Sequence, residues 1–246
     1  MIKILKTQSD IRFGICPKRP KAPTPTLFII SATIEESLGE PYSRQCGNDL
    51  AKKGYLCASM DLPCHGKGKR PDEPEGLSGW RHRLEKSEPF IEQFNEKMTQ
   101  VLDYLITNGY TDPNRVAVCG TSRGGFIALH FAAQDGRVGA LAAFAPVASL
   151  ATLREFKGLE HQPAVIALDL AELADKLIAR PVWLVIGDQD DRVDTDRAIA
   201  FARKVSGVSK EKTRIELHVM PEPRGHTTPS GAPEQAAIWI EKQLNY

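Results

Sequence analysis

The chain has 246 residues, of which 41% are hydrophobic and 26% are charged, and its formal net charge is +1. These values are ordinary for a soluble globular protein with a sizeable core, and so small a net charge excludes a general electrostatic attraction to nucleic acid or to acidic membranes. We therefore expect neither nucleic-acid nor membrane partners.

The first residues and the cysteines favour a cytoplasmic protein. The start, MIKILKTQSD, lacks the long apolar stretch of a signal peptide, and no run of the sequence approaches the length of a membrane span. The five cysteines are odd in number and lie mostly in apolar runs, which is typical of reduced, buried thiols. Because metal-type pairs such as C-x-x-C are absent, we expect no metal site.

Short apolar runs alternate along the chain with longer amphipathic segments. The predicted strands are residues 2–5, 11–16, 27–30, 55–60, 116–119, 140–144, 182–186 and 215–219. The predicted helices are residues 41–53, 88–106 with Ser87 as N-cap, 123–134, 195–205 and 233–244. This alternation predicts one α/β domain over residues 1–246, with a mainly parallel sheet of about eight strands and helices on both faces. The first two strands have no helix between them, which predicts an antiparallel pair at one edge.

Two stretches, residues 66–86 and 147–179, interrupt the alternation, and each follows a predicted strand. Loops that leave the carboxyl ends of strands surround the ligand crevice of an open parallel sheet. We therefore expect both stretches to be walls of a pocket, with 147–179 as a small lid segment. Ordinary surface excursions are the alternative. Trp80 and Arg81, in the first stretch, are the candidate substrate-binding residues.

The run VAVCGTSRGGFIALHF, residues 116–131, joins a predicted strand to a predicted helix through a serine. A hydroxyl is a poor nucleophile unless a base takes its proton and the product oxyanion is stabilised. A sharp strand-to-helix turn exposes the serine and directs backbone N–H groups toward the developing charge. Gly120 and Gly124 provide the small residues that this turn requires on either side of Ser122. Ser122 is therefore predicted to be a nucleophile, and the alternative is a helix N-cap.

The candidate base is His226, in a loop between the last predicted strand and the last predicted helix. The other histidines have simpler roles in a helix or a strand, or lie in irregular stretches too far upstream. A carboxylate must orient the base, and it should follow the strand 182–186. Asp188, Asp190 and Asp191 all meet that condition, and an acidic turn that only caps the next helix is the alternative for two of them.

The order Ser122, acid, His226 resembles that of the α/β-hydrolase fold. Residues 187–193, GDQDDRV, resemble the G-x-x-D-x-x-V segment of the dienelactone hydrolase and prolyl oligopeptidase branches. In those branches the aspartate three residues after the glycine is the triad acid, which implies Asp190. Residues 61–66, DLPCHG, look like the family's D-x-R-G-H-G loop, in which His65 would be structural.

The resemblance also implies an oxyanion hole formed by two backbone N–H groups. By position these belong to Arg123 and Thr33. After the strand 27–30 the family usually has His-Gly and then the oxyanion residue, whereas this chain has Ser31-Ala32-Thr33. A shift of one residue would select Ala32 instead of Thr33.

The activity implied is hydrolysis of a small-molecule carboxylic ester, through an acyl-enzyme and without a metal or organic cofactor. Because residues 66–86 and 147–179 contain no long aliphatic stripe, we expect a short acyl group. A thioesterase, an amidase or peptidase, or an acyltransferase could use the same triad. The sequence has no room for a propeller domain, so an oligopeptidase gains no support from it. The alternative of another class is a non-catalytic binding module of the same fold, and the presence of all three triad residues argues against it.

Overall fold

A computed structural model describes residues 1–17, 20–208 and 214–245. A strand forms at each of the eight predicted positions. The strands are Lys3–Lys6 (β1), Arg12–Cys16 (β2), Thr24–Ile30 (β3), Leu56–Ser59 (β4), Thr111–Thr121 (β5), Val138–Phe144 (β6), Val182–Gly187 (β7) and Ile215–Met220 (β8). The central strands β3, β4, β6 and β7 are buried almost throughout, because a parallel sheet is covered on both faces.

All eight strands form one sheet in the order β1-β2-β4-β3-β5-β6-β7-β8. β2 pairs antiparallel with β1 and with β4, and the remaining pairs are parallel. The predicted mostly parallel sheet with an antiparallel edge pair is thus confirmed. After β3 the chain continues to β4 on one side of it and then to β5 on the other. Such a reversal leaves a crevice at the carboxyl ends of the strands, where ligands bind in open α/β sheets.

Helices cover both faces of the sheet, as predicted. They are Ile34–Gly39 (α1), Pro41–Arg44 (α2), Gly47–Lys52 (α3), Gly76–Glu85 (α4), Phe90–Thr107 (α5), Arg123–Gln134 (α6), Pro163–Ile166 (α7), Ala174–Leu177 (α8), Thr195–Val208 (α9) and Ala232–Leu244 (α10). The residues of α1, α3 and α10 pack in one apolar core layer, and those of α4, α5, α6, α8 and α9 pack in the other. None of the described helices combines the length and the apolar composition that a transmembrane segment needs.

The helix boundaries differ from the predictions where the backbone turns locally. The predicted helix 41–53 is two helices, because Gln45 between them has a φ of 49°. Its side-chain amide donates to the hydroxyl of Thr228, a contact that a local pattern does not reveal. The prediction of Ser87 as N-cap is wrong: Ser87 has a φ of 57°, and α5 begins at Phe90.

The two irregular stretches contain more helix than predicted. Residues 66–86 include the ten-residue helix α4. Residues 147–179 form short helical turns, including α7 and α8, and their apolar side chains are buried in the same core layer as α6. These buried side chains therefore anchor residues 147–179 to the core.

Candidate active site

The turn between β5 and α6 holds Ser122 in a backbone conformation that non-glycine residues rarely adopt. Its φ is 56° and its ψ is −119°. Such strain persists only where the surrounding structure imposes it, and it concentrates at functional sites. The Ser122 side chain makes no capping hydrogen bond to α6, so the N-cap alternative does not describe it.

Gly120 and Gly124 are required by close contacts between backbones. A Cβ on Gly120 would lie 2.2 Å from the carbonyl oxygen of Gly124. A Cβ on Gly124 would lie 2.0 Å from the carbonyl oxygen of Ile30, at the end of β3. The start of α6 therefore packs directly against the end of β3. This contact brings the turn at Ser122 next to the loop that follows β3.

Three polar side chains form a continuous hydrogen-bonded chain at the carboxyl ends of the strands. The Ser122 hydroxyl lies 2.9 Å from Nε2 of His226, and Nδ1 of His226 lies 2.8 Å from Oδ2 of Asp190. Because the Asp190 carboxylate accepts a hydrogen bond from the N–H at Nδ1, Nε2 is left unprotonated as the acceptor for the serine hydroxyl. The imidazole side chain is 29% exposed, whereas that of Asp190 is 0% exposed.

Asp190 is also held by the turn that follows β7. Its Oδ1 accepts the backbone N–H groups of Arg192 and Val193 at 3.1 and 3.2 Å. Oδ2 is thus left to face the imidazole. Asp188 instead accepts the backbone N–H of Glu222, and Asp191 lies at the exposed surface of the turn. Of the three candidate acids, the structure brings Asp190 alone to His226.

Two other histidines, His130 on α6 and His65, are buried inside the protein. His130 contacts the carbonyl oxygen of Leu168 at 3.1 Å through Nε2. Burial lowers the pKa of His130 to about 4, so its imidazole stays neutral near pH 7. His65 is also buried, and its Nδ1 contacts the carbonyl oxygen of Pro63 at 2.9 Å, in keeping with the structural role that the resemblance implies.

The predicted oxyanion donors lie on the two neighbouring segments. Arg123 is the first residue of α6, and the first N–H groups of a helix have no acceptor within it. Within the described part of the chain, the backbone N–H groups of Thr33 and Ala32 also donate to no acceptor. The Thr33 hydroxyl caps α1 by accepting the N–H of Glu36. Both candidates in this loop therefore keep a free N–H.

Asp61 fixes the position of that loop, a role that the sequence did not reveal. Its Oδ1 accepts the backbone N–H of Ile34 at 2.8 Å, and its Oδ2 accepts from Arg12 at 2.8 Å. The neighbouring Leu62 donates its N–H to the carbonyl oxygen of Ala32 at 2.9 Å. Residues 61 and 62 thus hold the loop on both sides of Thr33. The resemblance of residues 61–66 to a family loop was the available signal.

The two predicted substrate-binding residues have structural roles. Trp80 is 0% exposed; its ring packs against Phe90 and Phe126, and its Nε1 donates to Pro63. The prediction for Trp80 is therefore wrong, since no substrate reaches a ring enclosed in the core.

Arg81 likewise uses its guanidinium within the protein. It pairs with Glu85 on α4 and donates to the carbonyl oxygens of Glu155 and Lys157 at 3.1 and 3.0 Å. These bonds connect α4 to the 147–179 segment, so Arg81 braces the two predicted walls against each other. Its role as a substrate-binding residue stays a prediction.

A second contact attaches the 147–179 segment to the Asp190 turn. Arg192 donates to both carboxylate oxygens of Glu155, at 2.8 and 2.9 Å. Burial alone would raise the pKa of Glu155, but hydrogen bonds from its own backbone N–H and from Arg192 lower it overall. Glu155 therefore stays ionised as the partner of Arg192. This ion pair lies outside any sequence motif and could not be predicted.

Residues 1–17, 20–208 and 214–245 contain no group of three His, Cys, Asp or Glu side chains that could hold a metal ion. The chemistry that the described residues support is that of a nucleophilic hydroxyl, a neighbouring imidazole and a buried carboxylate.

Comparison with known proteins agrees with this geometry. The profile of the prolyl oligopeptidase family matches residues 92–246, which is more than half of the chain and includes all three residues of the hydrogen-bonded chain. A search of curated protein sequences gives no significant match.

Solved structures share the fold at low sequence identity. Acetyl xylan esterase 1 from Thermoanaerobacterium sp. matches with a TM-score of 0.72 and 16% identity, over 100% of this chain and 88% of the esterase. A putative dienelactone hydrolase from Klebsiella pneumoniae matches with a TM-score of 0.70 and 16% identity, over 100% of this chain and 98% of that one. Dipeptidyl peptidase 4 from Porphyromonas gingivalis matches with a TM-score of 0.72 and 18% identity, over 99% of this chain but 35% of the peptidase.

Proposed function

This chain belongs to the prolyl oligopeptidase family and is a serine hydrolase, and we propose that it cleaves carboxylic esters with Ser122 as nucleophile. The observation that carries the proposal is the hydrogen-bonded chain from Ser122 through His226 to the buried Asp190. A hydroxyl, an imidazole and a carboxylate in this order are what acyl transfer through a serine requires.

In the proposed reaction, Oγ of Ser122 attacks the ester carbonyl carbon while Nε2 of His226 takes the hydroxyl proton. The tetrahedral intermediate then collapses, and the alcohol leaves with the proton from His226. Water attacks the acyl-enzyme in the same way and releases the acid. Asp190 keeps the imidazole in the required tautomer and stabilises the imidazolium as it forms.

The oxyanion of the intermediate would be bound by the backbone N–H groups of Arg123 and Thr33. Two features support this assignment. Neither N–H has an acceptor within the described residues, and the contact between Gly124 and Ile30 brings their two segments together. A single donor of this kind is worth about 10²–10³ in kcat.

We further propose a preference for short acyl groups. Charged side chains lie on the segments near the nucleophile: Arg123 begins α6, and the Arg192–Glu155 pair joins the Asp190 turn to residues 147–179. A long acyl chain would have to desolvate these groups without pairing them, which is unfavourable. With 4-nitrophenyl esters of increasing chain length, kcat/KM for acetate or butyrate should exceed that for a C12 ester at least about tenfold. Equal or faster turnover of the long ester would contradict the preference.

Labelling with a fluorophosphonate tests the proposed nucleophile. The reagent should modify Ser122, identified by peptide mass analysis, because it reacts with a serine whose hydroxyl a neighbouring base activates. Ser122→Ala should abolish both labelling and esterase activity while thermal melting shows an intact fold. Label on a different serine, or near wild-type kcat in Ser122→Ala, would overturn the proposal and favour a non-catalytic binding module.

Cleavage of an amide bond is the second candidate, and the family match favours it. The two activities are separated by comparing a 4-nitrophenyl ester with the 4-nitroanilide of the same acyl group. An esterase should cleave the ester and leave the anilide almost intact, whereas a peptidase should also turn over the anilide. Thioester substrates and added alcohol acceptors extend the same assay to thioesterase and acyltransferase activity.

A further inference from the structure

Arg123 directly follows Ser122 and is the first residue of α6. The charged groups that act on its pKa come from other segments: Glu36 on α1, Arg192 after β7, Glu155 in the 147–179 segment, and Glu75 at the start of α4. These segments follow the carboxyl ends of β3, β7, β6 and β4. Charges on four segments at the carboxyl edge of the sheet therefore act on Arg123, which is one residue from Ser122.

The guanidinium of Arg123 has no partner among the described residues. Neither a hydrogen bond nor an ion pair reaches it, and its Nε is buried without an acceptor. Burial is the main reason that its pKa is lowered. Glu36 and Glu75 are both exposed to solvent, and neither comes within ion-pair distance.

Neighbouring arginines are paired instead. Arg192 binds both carboxylate oxygens of Glu155, and Arg83 binds both oxygens of Glu73. The fold thus neutralises these two guanidinium groups with carboxylates of the chain but supplies none for Arg123. A half-buried guanidinium without an acceptor costs free energy, which a ligand that supplies the acceptor would recover.

A guanidinium has five N–H donors in a planar fork that matches the two oxygens of a carboxylate. Because Arg123 adjoins the nucleophile, a carboxylate bound to it would be part of the molecule whose ester bond is attacked. We propose that the Arg123 side chain binds a carboxylate group of the substrate, so that the enzyme prefers esters with an anionic group close to the scissile bond. This inference rests on the proposed function of Ser122, and it narrows the substrate class.

The first experiment needs no substrate. Sulfonyl fluorides modify a nucleophilic serine: the Ser122 Oγ–sulfur bond forms, the sulfur–fluorine bond breaks, fluoride leaves, and His226 takes the proton. The matched probes are neutral benzenesulfonyl fluoride, anionic 3- and 4-(fluorosulfonyl)benzoate, and cationic 4-(2-aminoethyl)benzenesulfonyl fluoride. Intact-protein mass gives the modification rate of each probe.

The matched variants are Arg123→Gln and Arg203→Gln, which change the net charge equally. Both keep every backbone N–H, and Arg203 lies on α9 in a groove beside Ile215 and Leu217 of β8. The readout is the ratio of anionic to neutral rates within one protein, which divides out any general change in the reactivity of Ser122. In Arg123→Gln this ratio should fall at least about tenfold relative to wild type, whereas in Arg203→Gln it should not change.

Ester pairs give the second readout. Mono-4-nitrophenyl glutarate is compared with 4-nitrophenyl pentanoate for an anion in the acyl part, and 3-acetoxybenzoate with phenyl acetate for an anion in the alcohol part. At least one anionic member should be preferred by wild type, and Arg123→Gln should remove that preference. If the anionic-to-neutral ratio is the same in wild type and Arg123→Gln for all probes and esters, the inference is wrong. That failure is distinct from failure of the proposed function, which is decided by Ser122→Ala.

Discussion

Replacing Asp190 by asparagine tests the hydrogen-bonded chain where its geometry is most constrained. Oδ1 of Asp190 accepts two backbone N–H groups, and an asparagine oxygen would keep that position. Its amide nitrogen would then stand where Oδ2 now lies, 2.8 Å from Nδ1 of His226. A nitrogen that donates to Nδ1 selects the imidazole tautomer that carries its proton on Nε2. Because Nε2 is then protonated, it cannot take the proton of Ser122.

The expected cost follows from that change of tautomer. The same substitution in a serine protease triad lowers kcat by about 10⁴, which corresponds to about 5 kcal/mol in the activation barrier. We expect a loss of this size for Asp190→Asn, measured as kcat on 4-nitrophenyl acetate. Because the two backbone hydrogen bonds survive, the melting temperature should change little.

Asp188→Asn is the matched control. Asp188 lies two residues away, and its Oδ1 accepts the backbone N–H of Glu222 at 2.9 Å, which an asparagine oxygen can also do. This variant should keep kcat within about threefold of wild type. The reasoning is refuted if folded Asp190→Asn keeps kcat within about tenfold of wild type, or if Asp188→Asn is the variant that loses activity.

Three further predictions concern residues around this chain of hydrogen bonds. Gly124→Ala should lower the free energy of unfolding by about 2 kcal/mol or more in urea titrations and abolish activity, since its Cβ would meet a backbone oxygen at 2.0 Å. The control is Gly207→Ala on α9, where the new Cβ would have no atom within 4 Å. It should be neutral or stabilising by up to about 1 kcal/mol. Asp61→Ala should lower kcat about ten- to a hundredfold with KM little changed, because it releases the loop that carries Thr33. A kcat equal to that of wild type would show that the loop holds its position without Asp61. Burial raises the pKa of Cys57 to about 11 despite a nearby arginine. At pH 8, iodoacetamide should therefore alkylate Cys57 at least about a hundredfold more slowly in native protein than in urea. Comparable alkylation rates in the two conditions would contradict this prediction.

The fold was largely predictable because its main signals are local. The apolar runs of the parallel strands and the period of α6 appear directly in the sequence, and the structure gives α6 the bounds Arg123–Gln134 that the pattern predicted. The errors in the predicted helix boundaries arose where distant contacts or the local backbone conformation determine where a helix begins or ends. Gln45 interrupts a predicted helix by reaching Thr228, and Ser87 turns the chain at a left-handed φ instead of capping α5.

The site was predictable to the extent that motifs carry it. The glycine spacing around Ser122 and the segment around Asp190 selected residues that the structure brings together with His226. The roles of the side chains in the two expected pocket walls, residues 66–86 and 147–179, were not predictable. Trp80 was suggested because it lies in a stretch that was expected to be a pocket wall, but whether a ring faces a crevice or a core depends on packing that no short pattern encodes.

Gly124 shows how a local pattern depends on the order of the strands. In sequence it is a small residue two positions after a serine, and a sharp turn is enough to explain it. In the structure its nearest non-local contact is the carbonyl oxygen of Ile30, at the end of β3. That contact exists only because β5 pairs with β3 instead of with β4, its predecessor in the chain. The same pairing brings the start of the loop that follows β3 next to Gly124. The pattern around Ser122 therefore requires a particular neighbour for β5, and the proposed oxyanion hole depends on that neighbour as much as on the residues of the motif.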